Sequence, residues 1–257
     1  MGPAVVTYFI NQLTENGANN EDLLTNLDWY ILPVTNPDGY AYSISTDRLW
    51  RKTRYDVFTL SQLSTASIFV GICCFSRSPN SGSPCIGTDA NRNWDAAWSE
   101  EGASGNPCSD TYYGSAPFSE PETAAVSNFL LSIQSNLKFL NDVHSAANMV
   151  LLPWGYQYQH TPDYDQQMEF FQRAADALFA VHGEVYDVGA IPDLLYVASG
   201  SSVDYTYGTI GVKYVTSVEL RGEYSFFPPP SQIILECEEM WAFHQQAARD
   251  IIAEYVP

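Results

Sequence analysis

Short strand-like apolar runs alternate along this chain with segments of helical period, and that alternation admits few architectures. "AVVTYFINQLTENG" has apolar residues at helical spacing and stops at Gly17, and "LDWYILPVTNPDGY" reads as a buried strand broken by an Asn-Pro-Asp-Gly turn. Ser119 and Glu122 stand at capping-box spacing ahead of the helical "TAAVSNFLLSIQ", and "LKFLNDV" then reads as a strand leading into His144. Strand-like "NMVLLPW", a helix from about Pro162 to Val181, strand-like "VKYVTSVEL" and a last amphipathic helix from about Gln232 to Tyr255 complete the series. The expected fold class is α/β: a mixed, mostly parallel central sheet with helices on both faces. A chain of 257 residues is an ordinary length for one such domain, so residues 1–257 are read as a single unit.

Charge and cysteine usage narrow the partners. Asp and Glu number 30 against 11 Lys and Arg, a formal net charge of -19, which repels nucleic acid and anionic membrane. The longest apolar run, "ASIFVGICCF", is too short to span a bilayer, and "MGPAVVTYFINQL" lacks the basic start of a signal peptide. Neither nucleic acid nor membrane is an expected partner. Of the five cysteines at least one must stay unpaired, but Cys85 and Cys108 flank a Gly/Asn/Pro-rich loop that a disulfide would clamp. That pairing points to an oxidising compartment.

In sheets of this kind functional side chains gather at strand ends, where His144 and Glu219 both fall. "RLWRKTR" concentrates Arg48, Arg51, Lys52 and Arg54, and "DANRNWD" sets Arg92 between two asparagines. A glutamate beside a metal makes a general base for bound water, and a planar guanidinium offers paired donors to a carboxylate. The set suits hydrolysis of a substrate with a free carboxylate. Taken singly, Arg51 and Arg92 read equally as surface or salt-bridged arginines, and Glu219 as an ion-pair partner of Arg221.

"TNPDGY", "RLWRKTR", "GTDANRNWD", "GASGNPCSDTYYG", "DVHS", "YVASGSSVDY" and "VELR", in this order, resemble the zinc metallocarboxypeptidases of the carboxypeptidase A and B type over nearly the whole chain. The resemblance implies an exopeptidase holding one Zn2+ per full-length enzyme and acting on peptide or protein C-termini, secreted, extracellular and monomeric. His144 would be the third zinc ligand, Glu219 the general base and acid, and Arg51 the group that polarises the scissile carbonyl. Asn91 and Arg92 would hold the terminal carboxylate, Tyr196 would cap the bound substrate, and Ser145 would join the substrate-binding residues. The pocket-floor position is Val203, with Ala198, Ile191 and Ser217 lining the rest. An uncharged pocket of this kind implies aromatic or aliphatic C-terminal residues, although Val203 can also be read as plain core.

Three departures from the family pattern stand out. The His-x-x-Glu that supplies the other two ligands lies upstream of the helix "AVVTYFINQL" resembles and occurs nowhere in the chain; His160, His182 and His244 stand in other contexts. The expectation is a truncated domain without the first strands, prone to fold poorly, in which His144 by itself does not retain zinc. Asp89, which resembles the family's carboxylate behind the missing histidine, should then be an orphan. The stretch from about 55 to 77 is an atypical insertion, either real or a retained intron, and Ala146 stands where the family often has an aromatic residue. Beside the enzyme stands a second reading: a non-catalytic relative that binds peptides without metal.

Overall fold

The structure, a computed structural model, describes residues 1–53, 70–72, 76–222 and 226–256. Most of the expected 55–77 insertion lies outside them, as does Arg54. Among the described residues seven strands are formed: β1 (Val70–Ile72), β2 (Ser76–Pro79), β3 (Ile86–Thr88), β4 (Phe139–Ser145), β5 (Met149–Leu152), β6 (Asp187–Ala190) and β7 (Tyr214–Leu220). The α-helices are α1 (Gly2–Thr14), α2 (Glu21–Asn26), α3 (Pro37–Ser45), α4 (Pro121–Ile133), α5 (Tyr164–His182), α6 (Ile191–Leu194), α7 (Ser202–Tyr205) and α8 (Gln232–Tyr255). Among the described residues no helix is long and apolar enough to cross a membrane.

Five strands make the central sheet in the order β1-β4-β7-β5-β6, while β2 and β3 pair separately as an antiparallel ribbon. β1 with β4, β4 with β7 and β5 with β6 run parallel; β5 with β7 runs antiparallel. This is the expected mixed, mostly parallel sheet.

Helices cover both faces, and the period of two along each strand decides what each face receives. Val143 of β4, Val150 and Leu152 of β5, and Val218 and Leu220 of β7 pack with Phe9 of α1, Phe170 and Phe171 of α5, and Met240 and Phe243 of α8. Leu140, Met149, Leu151 and Val215 pack on the other side with Val126 and Leu130 of α4, Ile191 of α6 and Val203 of α7. Each fully buried side chain of this size contributes about 1.5–3 kcal/mol against its exposed state. Residues 142, 144, 217 and 219 therefore lie on the α4 face, at the carboxyl ends of β4 and β7.

Three local expectations need correction. Residues 27–32 do not form a strand; beyond a single bridge at Leu32 they pair with no strand among the described residues. Their aromatic side chains pack on helices instead, Trp29 against Trp241 of α8 and Tyr30 against Phe129 of α4. The Asn-Pro-Asp-Gly sequence starts a helix rather than a turn, because Asn36 Oδ1 accepts from the Gly39 amide and Pro37 occupies the first helical position. The capping box at Ser119 is likewise not formed: α4 begins at Pro121, and the Ser119 hydroxyl donates to Glu120 Oε1.

Candidate active site

The parallel register of β4 and β7 sets His144 opposite Glu219 and Asp142 opposite Ser217. His144 Nε2 lies 3.1 Å from Asp142 Oδ2 and 3.4 Å from Asn91 Nδ2, and Asp142 Oδ2 also accepts from the Ser202 hydroxyl. Burial alone would lower the His144 pKa, but the Asp142 carboxylate and then Glu219 outweigh it and leave the imidazole raised. Glu219 is raised by burial, against the opposing charges of His144 and Arg51. Its proton affinity is therefore higher than that of a solvated glutamate, as a group that takes up and returns a proton needs.

A 3-10 turn, Ala90–Arg92, follows the β-ribbon and carries the next group of residues. Asp89 caps it by accepting from the Asn91 amide, and its Oδ2 accepts from Arg51 Nε at 3.0 Å and Nη2 at 2.8 Å. Asp89 is thus not an orphan: Arg51 neutralises it in the buried interior, and this pairing is the main reason the Arg51 pKa is raised. Asn91 Oδ1 accepts from the Ser202 amide.

Arg92 differs from Arg51. It is 3% exposed, its Nε donates to Gly102 O and its Nη1 to Asn91 O, and among the described residues no carboxylate pairs with it and nothing accepts from Nη2. A buried guanidinium held only by backbone carbonyls is oriented but not neutralised. Its placement depends on Gly200, at φ +72, where a Cβ would come within 2.3 Å of Arg92 O.

The expected pocket residues converge. Val203 is 1% exposed and sits with Ile191 and Ala198 in the buried cluster on this face. Ser217 donates to Asp142 O from the neighbouring strand. Tyr196 is 53% exposed on the segment between α6 and α7, and Ser145 is exposed at the end of β4. Arg221 does not pair with Glu219; it points to the opposite face and binds Glu184, Glu236 and Glu239. Cys85 and Cys108 form the expected disulfide, and Cys237 is free and buried.

Three residues of the site escaped the sequence reading: Asp142, Ser202 and Asp204. Asp142 could have been found from the strand period, since it stands two residues before His144. Asp204 follows Val203 directly and is 1% exposed, with Oδ1 accepting from the Gly155 amide. Burial raises its pKa to about 7, against the Gly155 and Tyr156 amides, the Ser201 hydroxyl and the charge of Arg92.

A catalytic zinc takes about three protein ligands and a water. Among the described residues no group of three His, Cys, Asp or Glu side chains could hold a metal ion, and His144 brings one imidazole whose Nε2 is turned to Asp142. By themselves the described residues do not fit the metal that the resemblance implies.

Known proteins bear on the same geometry. The sequence profile of the zinc carboxypeptidases matches residues 1–243. The chain is 39% identical to carboxypeptidase B of Astacus astacus over 93% of its own length and 72% of that protein. It is 41% identical to carboxypeptidase A2 of Mus musculus over 85% of its length, spanning only 47% of the mouse protein. The solved structure of bovine thrombin-activatable fibrinolysis inhibitor, in complex with tick carboxypeptidase inhibitor, superposes with a TM-score of 0.85 at 32% identity, covering 98% of this chain and 78% of that one. A profile match over most of the chain, relatives near 40% identity and a shared fold agree: the chain belongs to the zinc carboxypeptidase family.

Proposed function

We propose that this chain binds the free C-terminus of a peptide and serves removal of its last residue, an aromatic or aliphatic one, as a secreted monomeric carboxypeptidase of A-like specificity. The observation that carries this reading is Arg92: a buried guanidinium, fixed by two carbonyls and without an acidic partner among the described residues, suits a ligand carboxylate. Asn91 supports it from the same turn. Val203, Ala198 and Ile191 offer an apolar wall to the departing side chain, and Tyr196 is exposed enough to close over it. Glu219 accepts and returns the proton, while Arg51 faces the scissile carbonyl once it shifts part of its bonding away from Asp89. The family is one of zinc enzymes, and this reading requires metal ligands beyond those described.

The test is calorimetric binding of an N-acetylated dipeptide ending in phenylalanine, as free acid and as amide. The free acid should bind at least tenfold more tightly, and Arg92→Gln should abolish the difference, the scale of one charge-assisted hydrogen-bond pair. Equal binding of acid and amide would sink the reading.

A second reading has one observation in its favour. Arg51 spends two nitrogens on Asp89, and the site holds a single imidazole among the described residues, which suits a metal-free peptide-binding relative. Elemental analysis of the purified chain separates the two: one equivalent of zinc retained through dialysis removes this second reading. Acid-selective binding without zinc removes the catalytic one for this chain.

A further inference from the structure

We propose that the cluster around Arg221 is a proton-operated clasp: a proton held by Glu236 keeps the end of β7, the β4–β5 turn and the first turns of α8 together, and its loss lets this corner open. The charges point there first. Glu236 and Glu239 are wholly buried, with one guanidinium between them. Arg221 commits Nη2 to both oxygens of Glu239 and to Glu184 Oε2. Its Nε lies 3.5 Å from Glu236 Oε2 and makes no hydrogen bond. Glu236 is left with neutral donors, the Arg221 amide at 3.0 Å and the Tyr186 hydroxyl at 2.9 Å. Burial, joined by the charge of Glu239, raises the Glu236 pKa to about 7 against the Tyr186 hydroxyl and the Arg221 amide and guanidinium. The proton has a partner in place, since the Tyr186 hydroxyl can turn and accept from the protonated oxygen.

The other titratable groups around the cluster do not supply the missing charge. The Met1 amino group faces Glu236 from α1, but burial lowers its pKa, and burial raises the Cys237 thiol to about 11 and keeps it neutral. His182 faces Glu239 from the end of α5 but pairs with Glu238 at 2.7 Å, and Glu184 adds negative charge. The clasp joins elements that carry the candidate site. Glu219 directly precedes Leu220 and Arg221, and Leu220 O receives the amides of Ala147 and Asn148, just past His144. Asn148 closes the ring: its Oδ1 accepts from the Gly222 amide and its Nδ2 donates to Glu184 Oε1. No ligand enters this clasp, so it stands or falls apart from the carboxylate reading.

Amide hydrogen exchange tests it. Opening frees Glu236 to titrate as an ordinary glutamate, so the closed corner binds the proton more tightly than the open one. The opening equilibrium should therefore rise about tenfold from pH 6 to pH 8 and level off above that. Fragments holding the Ala147, Asn148 and Arg221 amides are read by mass spectrometry, corrected for the intrinsic pH dependence of exchange. Their protection should fall by about tenfold over that range, equally with and without dilute urea, as local opening requires. Glu236→Gln, an isostere of the protonated acid, should keep at pH 8 the protection seen at pH 6. Equal protection at the two pH values in the unaltered chain overturns the inference, whether or not the variant folds. A fall that survives Glu236→Gln assigns the proton to another group and overturns it too. Exchange of these amides solely through urea-sensitive global unfolding leaves no separate clasp and is equally fatal.

Discussion

His244 gives a pH dependence of stability that can be worked out in advance. It sits in α8, 1% exposed, ringed by Phe9, Phe139 and Phe243. The neutral imidazole is satisfied there: Nδ1–H donates to Met240 O at 2.7 Å, and Nε2 accepts from Asn141 Nδ2 at 3.0 Å. Protonation would set a second N–H against the Asn141 amide hydrogens in an apolar surround, and burial accordingly lowers the pKa from 6.5 to about 4. Between these values the unfolded chain binds the proton and the folded chain does not. Stability from this group is therefore complete above pH 6.5 and is lost as the pH falls toward 4. At 1.36 kcal/mol per unit the shift amounts to about 3 kcal/mol at its limit and about 2 kcal/mol between pH 7 and pH 4.5. Urea unfolding of the chain and of His244→Phe at both pH values reads it directly. The cost of the substitution itself cancels in the pH difference, as do the opposing effects of Asp204 and Glu236, whose raised pKa values are common to both proteins. The variant should lose about 2 kcal/mol less than the parent on acidification. Parallel losses would refute the reasoning, and the route is visible: Asn141 Oδ1 is buried without a partner, and an amide rotation would turn it toward the imidazolium.

Other outcomes follow from the same structure. Gly200→Ala should destabilise the fold by at least 2 kcal/mol on the scale of strained backbone positions and abolish acid-over-amide selectivity, since its Cβ would displace the Arg92 carbonyl; thermal unfolding and calorimetry check the two effects. Reducing Cys85–Cys108, whose cysteines are 23 residues apart, should cost about 3 kcal/mol by chain entropy, seen as a lower urea midpoint in reductant. Arg221→Met strips the cation from Glu236 and Glu239, whose side chains are wholly buried, and should cost about 3–5 kcal/mol at pH 8. The loss should shrink at pH 5, because the Glu236 carboxyl, with its pKa raised to about 7, is already protonated there; a loss independent of pH would contradict the account.

Periodicity sufficed for much of the architecture. β4, β7, α5 and α8 appear where the apolar spacing puts them, because each buries a face that the local pattern already defines. The ordered motifs likewise marked His144, Glu219, Asn91, Arg92 and Val203, which lie on one face and at one end of the sheet. Residues 27–32 failed as a strand for the complementary reason: a strand needs a hydrogen-bonding neighbour, which no local pattern specifies, and Trp29 and Tyr30 found helices instead. The electrostatic state of the site was equally out of reach. Whether an arginine is neutralised depends on which carboxylate the fold brings within about 3 Å, and Coulomb energy in a low-dielectric interior changes steeply over such distances. Folding gave Arg51 the carboxylate of Asp89 and left Arg92 with carbonyls. It gave Arg221 its glutamates on the opposite face. Residue types and their order belong to the sequence; which charges meet, and which stay open for a ligand, is decided only when the elements pack.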